Sequence, residues 1–176
     1  MFLETERLIL RKFQEEDFAE FLEFANDPEM CRMVGLADMS DPAAARETFD
    51  WLKDHEDRGY ALILRESGKL IGNLTVSMPP PVVTGRRETA GKIGRTLSFS
   101  ISRHYRRRGF AFESSCRVIE RLFLIEGLDY INCGAFRFNT ASRALQKKLG
   151  FAPLVTERLQ VNGEEVECIE SILWRV

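Results

Sequence analysis

The chain has 176 residues, 44% of them apolar and 30% charged, which suits one domain over residues 1–176 with its own core and is unlike a disordered chain. Its net charge of −2 offers no global basic field to recruit nucleic acid or an anionic membrane, so any anion site has to be local. No apolar run approaches the roughly 18 residues that a spanning helix needs, and Met1-Phe2-Leu3 runs straight into Glu4, Glu6 and Arg7 with no signal-peptide pattern.

Leu3 to Arg11 alternates as one strand, with Leu8 and Leu10 on one face and Arg7, Ile9 and Arg11 on the other. A helix follows from about Glu16, in which Phe18, Phe21, Leu22 and Ala25 recur at three- and four-residue steps until Asp27-Pro28 ends it. Asp41-Pro42 starts a second helix, an N-cap acid with proline at the first position; it carries Phe49, Trp51 and Leu52 and stops at Gly59. Tyr60 to Arg65 and Lys69 to Ser77 read as a hairpin around Ser67-Gly68. From Met78 to Gly94 the character changes: Pro79-Pro80-Pro81, Gly85-Arg86-Arg87 and Gly91 predict a long loop without a regular element. Leu97 to Ser102 is a strand, followed by an arginine-rich turn and a helix from about Ala111 to Ile125. Tyr130 to Phe136 reads as a buried strand, and Ser142 to Leu149 as a short helix closed by Gly150. Leu154 to Val161 and Val166 to Trp174 flank Asn162-Gly163, a strong hairpin signal. Strands outnumber helices, and helices interrupt them singly, which gives a mixed α/β class with a substantially antiparallel sheet.

Cys31, Cys116, Cys133 and Cys168 lie far apart with no Cys-x-x-Cys pair, which argues for reduced, mostly buried thiols and against a zinc site. With His55 and His104 as the two histidines, no metal centre is expected, and the expected address is the cytoplasm.

The informative stretch is Leu97 to Glu113, where a strand runs through Ser102-Arg103-His104-Tyr105 into Arg106-Arg107-Arg108-Gly109-Phe110-Ala111 and a helix. Gly109 permits a sharp turn with close backbone approach, and Ala111 leaves the helix mouth uncluttered. Successive amides point at one spot there, the helix dipole adds about half a positive charge, and Arg106, Arg107 and Arg108 supply guanidinium donors that match phosphate oxygens. A diphosphate suits this site; a solvated basic turn is the competing reading. A Walker loop is excluded because no Gly-Lys-Ser/Thr follows, and the rest of the chain supplies no basic stripe or aromatic platform for nucleic acid.

Ile101 followed by Arg106-x-x-Gly109-x-Ala111 resembles the acetyl-CoA signature of the GNAT superfamily of N-acetyltransferases. Asn139-Thr140-Ala141-Ser142 with Lys147-Lys148-Leu149-Gly150-Phe151 resembles that family's next motif. Glu4-Thr5-Glu6-Arg7-Leu8-Ile9-Leu10-Arg11, Asp27-Pro28-Glu29 and Glu113 resemble the branch that contains the ribosomal-protein N-terminal (alanine) acetyltransferases. The resemblance covers nearly the whole chain. It implies an α/β (α+β) GNAT-like fold, a central mixed, mostly antiparallel twisted sheet of about seven strands, splayed at the acetyl-CoA site, with about four helices.

The resemblance also implies a mechanism. The pantetheine arm would lie along Phe99, Ser100 and Ile101, and the amides of Arg106, Arg107, Arg108, Gly109, Phe110 and Ala111 would hold the pyrophosphate. The amine would attack the acetyl carbonyl directly, with the oxyanion stabilised by a backbone amide of Phe99 to Ile101. Asn139 matches a position that touches pantetheine or orders water; a turn residue before a helix is its alternative. Where many relatives carry a thiolate-protonating tyrosine this chain has Gln146, a poor acid, and Ser142 is the matching proton donor in the ribosomal-protein branch; a helix N-cap is its alternative.

No carboxylate stands on the strands Leu97 to Ser102 or Tyr130 to Phe136, which leans the acceptor towards an α-amine, near pKa 7.7–8.0, over a lysine near 10.4. Glu23, Asp27, Glu29 and His104 are other candidate bases, and Cys133 reads as a buried hydrophobe. The family's acceptor side comes from the first two helices and the last hairpin, here Phe18 to Met33, Ala43 to Arg58 and Leu154 to Glu170. Trp51 and Met30-Cys31-Arg32-Met33 are candidate lining residues. A solvated face explains Glu157, Glu164, Glu165, Glu167 and Glu170, which would also suit a cationic acceptor.

The expected function is therefore acetyl transfer from acetyl-CoA to an amine, of a protein N-terminus or a small molecule. A non-catalytic acyl-CoA sensor is the alternative, and an RNA- or ribosome-associated protein a weaker one. No nucleic-acid or membrane partner is expected; a homodimer is common among such relatives.

Overall fold

In a computed structural model that describes residues 2–36, 39–54 and 59–175, the chain packs as two units, Met1–Thr75 with Phe99–Arg117 and Val76–Ser98 with Val118–Val176. The first unit opens with a hairpin, β1 (Phe2–Glu4) and β2 (Leu8–Arg11), where alternation predicts one strand. Thr5 makes the difference. Its N–H donates to the Leu8 carbonyl at 3.0 Å and its hydroxyl accepts from the Leu8 N–H at 2.9 Å, closing a turn over Thr5-Glu6-Arg7. The turn resets the phase, so Leu3 pairs with Leu10, and Leu3, Leu8 and Leu10 are all buried.

β2 pairs antiparallel with β3 (Gly59–Leu64), and β3 with β4 (Leu70–Ser77), as the hairpin reading predicts. After a single 3₁₀ turn at Glu15–Asp17, α1 (Phe18–Ala25) buries Phe21 and Phe24, and α3 (Pro42–Asp54) buries Phe49 and Leu52. Phe13, ahead of both helices, meets a ring of each edge to face, 6.1 Å from Phe21 and 5.7 Å from Phe49, the arrangement that aromatic quadrupoles favour. Asp27-Pro28 ends α1 but also opens α2 (Pro28–Val34), which the sequence reading lacks. The Asp27 carboxylate accepts from the Glu29 N–H at 3.1 Å with proline at the first helical position, so one dipeptide is both stop and start. His55 and Arg58, at the end of the second predicted helix, lie outside the described residues.

In the second unit the first half of β5 (Gly94–Ile101) pairs in parallel with β6 (Tyr130–Phe136), through Gly94↔Tyr130, Arg95↔Ile131 and Thr96↔Asn132. β6 pairs antiparallel with β8 (Glu164–Trp174), and β8 with β7 (Ala152–Val161) across Asn162 and Gly163, both at positive φ as the hairpin signal requires. The predicted Met78–Gly94 loop contains a one-turn helix, α4 (Pro81–Thr84). Pro81 suits its first position, and Val83 is fully buried against Tyr130 and Ile172, a tertiary contact that outweighs the local signals for a loop. α5 (Phe110–Leu124) and α6 (Thr140–Lys148) fall within a residue or two of their predicted positions.

The hydrogen-bonded strand order is β1-β2-β3-β4-β5-β6-β8-β7, a mixed α/β, mostly antiparallel sheet of eight strands. The N-terminal hairpin accounts for the strand beyond the expected seven, and α2 and α4 for the two helices beyond the expected four. Among the described residues no helix is long and apolar enough to cross a membrane.

Candidate active site

β5 ends at Ile101, a 3₁₀ turn covers Arg103–Tyr105, and α5 begins at Phe110. Between them the backbone enters the left-handed region twice, at Arg107 (φ 63°) and Gly109 (φ 86°). At Gly109 a side chain would be strained by that φ, and its Cβ would also meet Arg7 Nη2 at 3.3 Å. The turn therefore delivers the chain sharply into α5, whose first N–H groups have no intrahelical acceptor.

The three arginines differ from one another. The Arg106 guanidinium, predicted as a phosphate donor, is committed within the protein: Nε donates to the Ile101 carbonyl at 3.0 Å, Nη1 to Glu29 at 2.8 Å and Nη2 to Asp27 at 2.7 Å. It ties the start of α2 to the turn, so Arg106 is left with its backbone to offer a ligand, and the candidate bases Asp27 and Glu29 are its ion-pair partners. Arg107 and Arg108 are exposed, and the Arg108 carbonyl accepts from Arg7 Nη1 at 3.0 Å.

Arg7 is the second brace. Glu113 accepts from Thr5 Oγ1 at 2.5 Å, from the Arg7 N–H at 2.9 Å and from Arg7 Nε at 2.7 Å, and the Arg7 guanidinium lies 4.4 Å above the Phe110 ring. Burial alone would raise the Glu113 carboxyl, but the hydrogen bonds from Thr5 and Arg7 hold it below its ordinary value. Phe99 and Ser100 are half-buried, Ile101 and Phe110 are buried, and Ala111 is half-buried at the helix mouth. Beside the turn, Glu20, Glu23, Phe24, Leu70, His104 and Tyr105 are among the residues that line a small cleft.

The second unit carries the remaining candidates. Asn139 caps α6, its Oδ1 accepting from the Ser142 N–H at 3.0 Å. Ser142 is therefore not the cap. Its hydroxyl oxygen accepts from Gln146 Nε2 at 3.4 Å and the residue is half-buried, so its own proton remains available to donate. Gln146 is buried and also donates to the Gly134 carbonyl at 3.3 Å. Burial, helped by the charge of Glu170, pushes the Cys133 thiol up to about 12, so it is inert as a nucleophile.

Glu170 corrects the sequence reading. It was expected with Glu157 and the other acids of the last hairpin on a solvated face, yet it is 5% exposed. It stands opposite Gly134 in the β6–β8 ladder, where a Cβ on Gly134 would fall 2.5 Å from Glu170 Oε1. Thr96 Oγ1 donates to Asn132 Oδ1 at 2.8 Å, and Asn132 Nδ2 donates to Glu170 Oε2 at 2.7 Å. The Cys168 thiol donates to Glu170 Oε1 at 3.3 Å, and burial with the nearby carboxylates raises that thiol well above its usual range. One signal could have found Glu170: a lone acid inside the apolar run from Cys168 to Trp174. On the acceptor-side candidates, Trp51 is exposed and not core, whereas Met30 and Cys31 are buried in the aromatic core and line no surface.

The Acetyltransferase (GNAT) domain family matches residues 7–152, most of the chain. This chain belongs to the GNAT acetyltransferase family. It is 34% identical over 156 residues to the uncharacterized N-acetyltransferase YoaA of Bacillus subtilis, covering 85% of this chain and 81% of that protein. It is 27% identical over 153 residues to the uncharacterized N-acetyltransferase p20 of Bacillus licheniformis, with the same coverage. Among solved structures, the ribosomal-protein-S5-alanine acetyltransferase of Vibrio fischeri superposes with a TM-score of 0.77 at 16% identity, over 99% of this chain and 96% of that one, a likeness of fold.

As a GNAT N-acetyltransferase, the protein belongs to a family whose enzymes generally use acetyl-CoA and act on amines. Family membership also favours an enzyme over a sensor that merely keeps the fold.

Proposed function

We propose that this GNAT enzyme transfers acetyl directly from acetyl-CoA to an amine, with the cofactor pyrophosphate on the backbone amides of Arg106 to Ala111. The observation that carries the reading is the pair of left-handed residues, Arg107 and Gly109, set directly before the open amides of a 15-residue helix. That geometry concentrates N–H donors and the positive end of a helix dipole on one anion. Arg107 and Arg108 add exposed positive charge, and Arg106 with Arg7 keeps the turn in shape.

In this reading Phe99, Ser100 and Ile101 receive the pantetheine arm on their backbone, and a backbone amide there steadies the carbonyl oxygen as charge develops. Ser142 donates the proton to the departing sulfur, its hydroxyl held in place by Gln146. Asn139 acts through α6, fixing the first turn on which Ser142 stands. The acceptor is an amine, the α-amine of a protein N-terminus or the amine of a small molecule. The enzyme works in the cytoplasm.

Acetyl-CoA is expected to raise the melting temperature, and Gly109→Ile, which places a β-branched residue at φ 86°, to abolish the rise. No rise in the parent protein would overturn the cofactor reading. Mass spectrometry of peptides and small amines incubated with acetyl-CoA then identifies the acceptor.

A further inference from the structure

The Asn162-Gly163 turn fixes more than a hairpin. Its two-residue connection pairs Val161 with Glu164, and the same register carried along the ladder sets Glu157 of β7 opposite Cys168 of β8. Glu170, two residues further on, shares a face of the sheet with Cys168. On the other side of β8, Glu170 stands against Gly134 of β6, where a Cβ would fall 2.5 Å from Glu170 Oε1. Glycine leaves the carboxylate the space it occupies. The result is a mixed cluster wholly within the second unit, in which one ligand atom from each of Glu157, Cys168 and Glu170 lies within 4.8 Å of the other two.

This is not a solvated group of acids. Glu170 is 5% exposed and Cys168 6%, while Glu157, half-buried on the edge strand, is the side open to water. Asp17, as deeply buried as Glu170, is bridged by the Arg11 guanidinium at 2.6 and 2.7 Å. Among the described residues no lysine or arginine pairs with Glu170, and a buried carboxylate without a cation is costly. Its two oxygens are held differently. Oε2 accepts at 2.7 Å from Nδ2 of Asn132, a fully buried amide. That amide is itself fixed, by Thr96 Oγ1 donating to Oδ1 at 2.8 Å and by Nδ2 donating to the Ser171 carbonyl at 3.1 Å. Oε1 accepts from the Cys168 thiol at 3.3 Å, so a weak donor stands where a positive charge is wanted. An outer amide that orients one carboxylate oxygen and leaves the other to the cluster is the support a metal ligand needs.

We propose that Glu157, Cys168 and Glu170 bind one divalent cation of the zinc type. The site goes beyond acetyl transfer and needs nothing from that reading. On binding, the Cys168 S–H bond breaks, its proton leaves to water, and the thiolate sulfur gives an electron pair to the metal. One carboxylate oxygen each from Glu157 and Glu170 completes a three-donor set, and a tetrahedral ion keeps its fourth position for water. The cation takes the place of the thiol proton between Sγ and Oε1 and supplies the charge that Glu170 lacks. The donors select the metal: magnesium and calcium favour all-oxygen shells, whereas zinc accepts thiolate sulfur and carboxylate oxygen together. Entry is past Glu157 at the sheet edge. The expectation of no metal centre came from the lack of a Cys-x-x-Cys pair and the scarcity of histidine, but here the donors come from two paired strands.

The full chain, treated with a chelator and reduced, is titrated with cobalt(II) chloride, a spectroscopic probe for such a site. One equivalent should bring up a thiolate-to-cobalt charge-transfer absorption and the intense visible bands of a four-coordinate ion, and zinc chloride should displace both. Zinc chloride should also raise the melting temperature, and magnesium or calcium chloride should not. Cys168→Ser should abolish the charge-transfer band. Cys116→Ser and Cys133→Ala, which remove the exposed thiol and another buried one, should keep it. Glu157→Gln should weaken cobalt binding by about tenfold or more, since even an outer-shell partner is worth about 10–100-fold. Glu157 is half-buried on an edge strand, so this variant still decides the matter if Cys168→Ser or Glu170→Gln does not fold. A titration without the thiolate band, a band that survives Cys168→Ser or vanishes with Cys116→Ser, or unchanged affinity in Glu157→Gln would overturn the proposal.

Discussion

Arg106 Nη2 lies 2.7 Å from the Asp27 carboxylate, so the arginine that opens the turn faces the protein and not a ligand. Asp27 is nearly buried there, with its side chain 11% exposed, and it also caps α2. One carboxylate thus links a helix start to the turn that precedes α5.

Arg106→Ala should therefore act on stability before affinity. Losing charge-assisted hydrogen bonds at a largely buried carboxylate costs about 1.5–3 kcal/mol. Urea unfolding reads this directly, and Asp27→Asn combined with Arg106→Ala should cost less than the sum of the two. Additive losses would mean that the two residues do not interact in solution.

Glu113 should give the acid limb of the stability profile. Its carboxyl lies below its unfolded value, so the stability it contributes is fully present above about pH 4.5 and is lost as pH falls through the lower folded value. Glu113→Gln should lower stability at pH 7 and flatten the fall below that pH. Denaturation midpoints at successive pH values check both, and an unchanged slope would remove Glu113 from the profile.

Asn139 and Ser142 should separate cleanly. Asn139→Ala removes the cap of α6 and should cost about 1 kcal/mol, while Asn139→Asp keeps most of it. Ser142→Ala should cost little stability, lower turnover by roughly a hundredfold and leave acetyl-CoA affinity unchanged if it protonates the leaving sulfur. An unchanged turnover number would take Ser142 out of the chemistry.

Alkylation should find one thiol first. Cys116 is exposed, while Cys31, Cys133 and Cys168 are buried. Iodoacetamide at pH 8 should label Cys116 in the native protein, with activity retained, and the other three after unfolding. Mass spectrometry of the labelled peptides reads the order.

The turn was legible in the sequence because its parts are contiguous: a strand, three arginines, a glycine that can take positive φ, and a helix. So were β3, β6, α3 and the Asn162-Gly163 hairpin, where local signals and tertiary packing agree. What the sequence hid depends on residues far apart in the chain. Nothing local says that Arg106 turns to Asp27 and Glu29, or that Thr5 and Arg7 close on Glu113. The burial of Glu170 follows from the register that sets it against Gly134, which a one-residue slip would reverse. α2 was hidden because Asp-Pro ends one helix and begins another, and α4 because its signal is the contact of Val83 with Tyr130 and Ile172.

The bond between the Arg7 N–H and Glu113 spans 106 positions of sequence, and this sets a timetable. Closing so long a loop costs conformational entropy before any contact returns it, so the brace under the turn belongs to the late, non-local events of folding. If the brace forms after the rate-limiting barrier, a ligand held there stabilises only the folded side of it. Acetyl-CoA should consequently leave the refolding rate nearly unchanged and slow unfolding, acting as a kinetic lock rather than as a template.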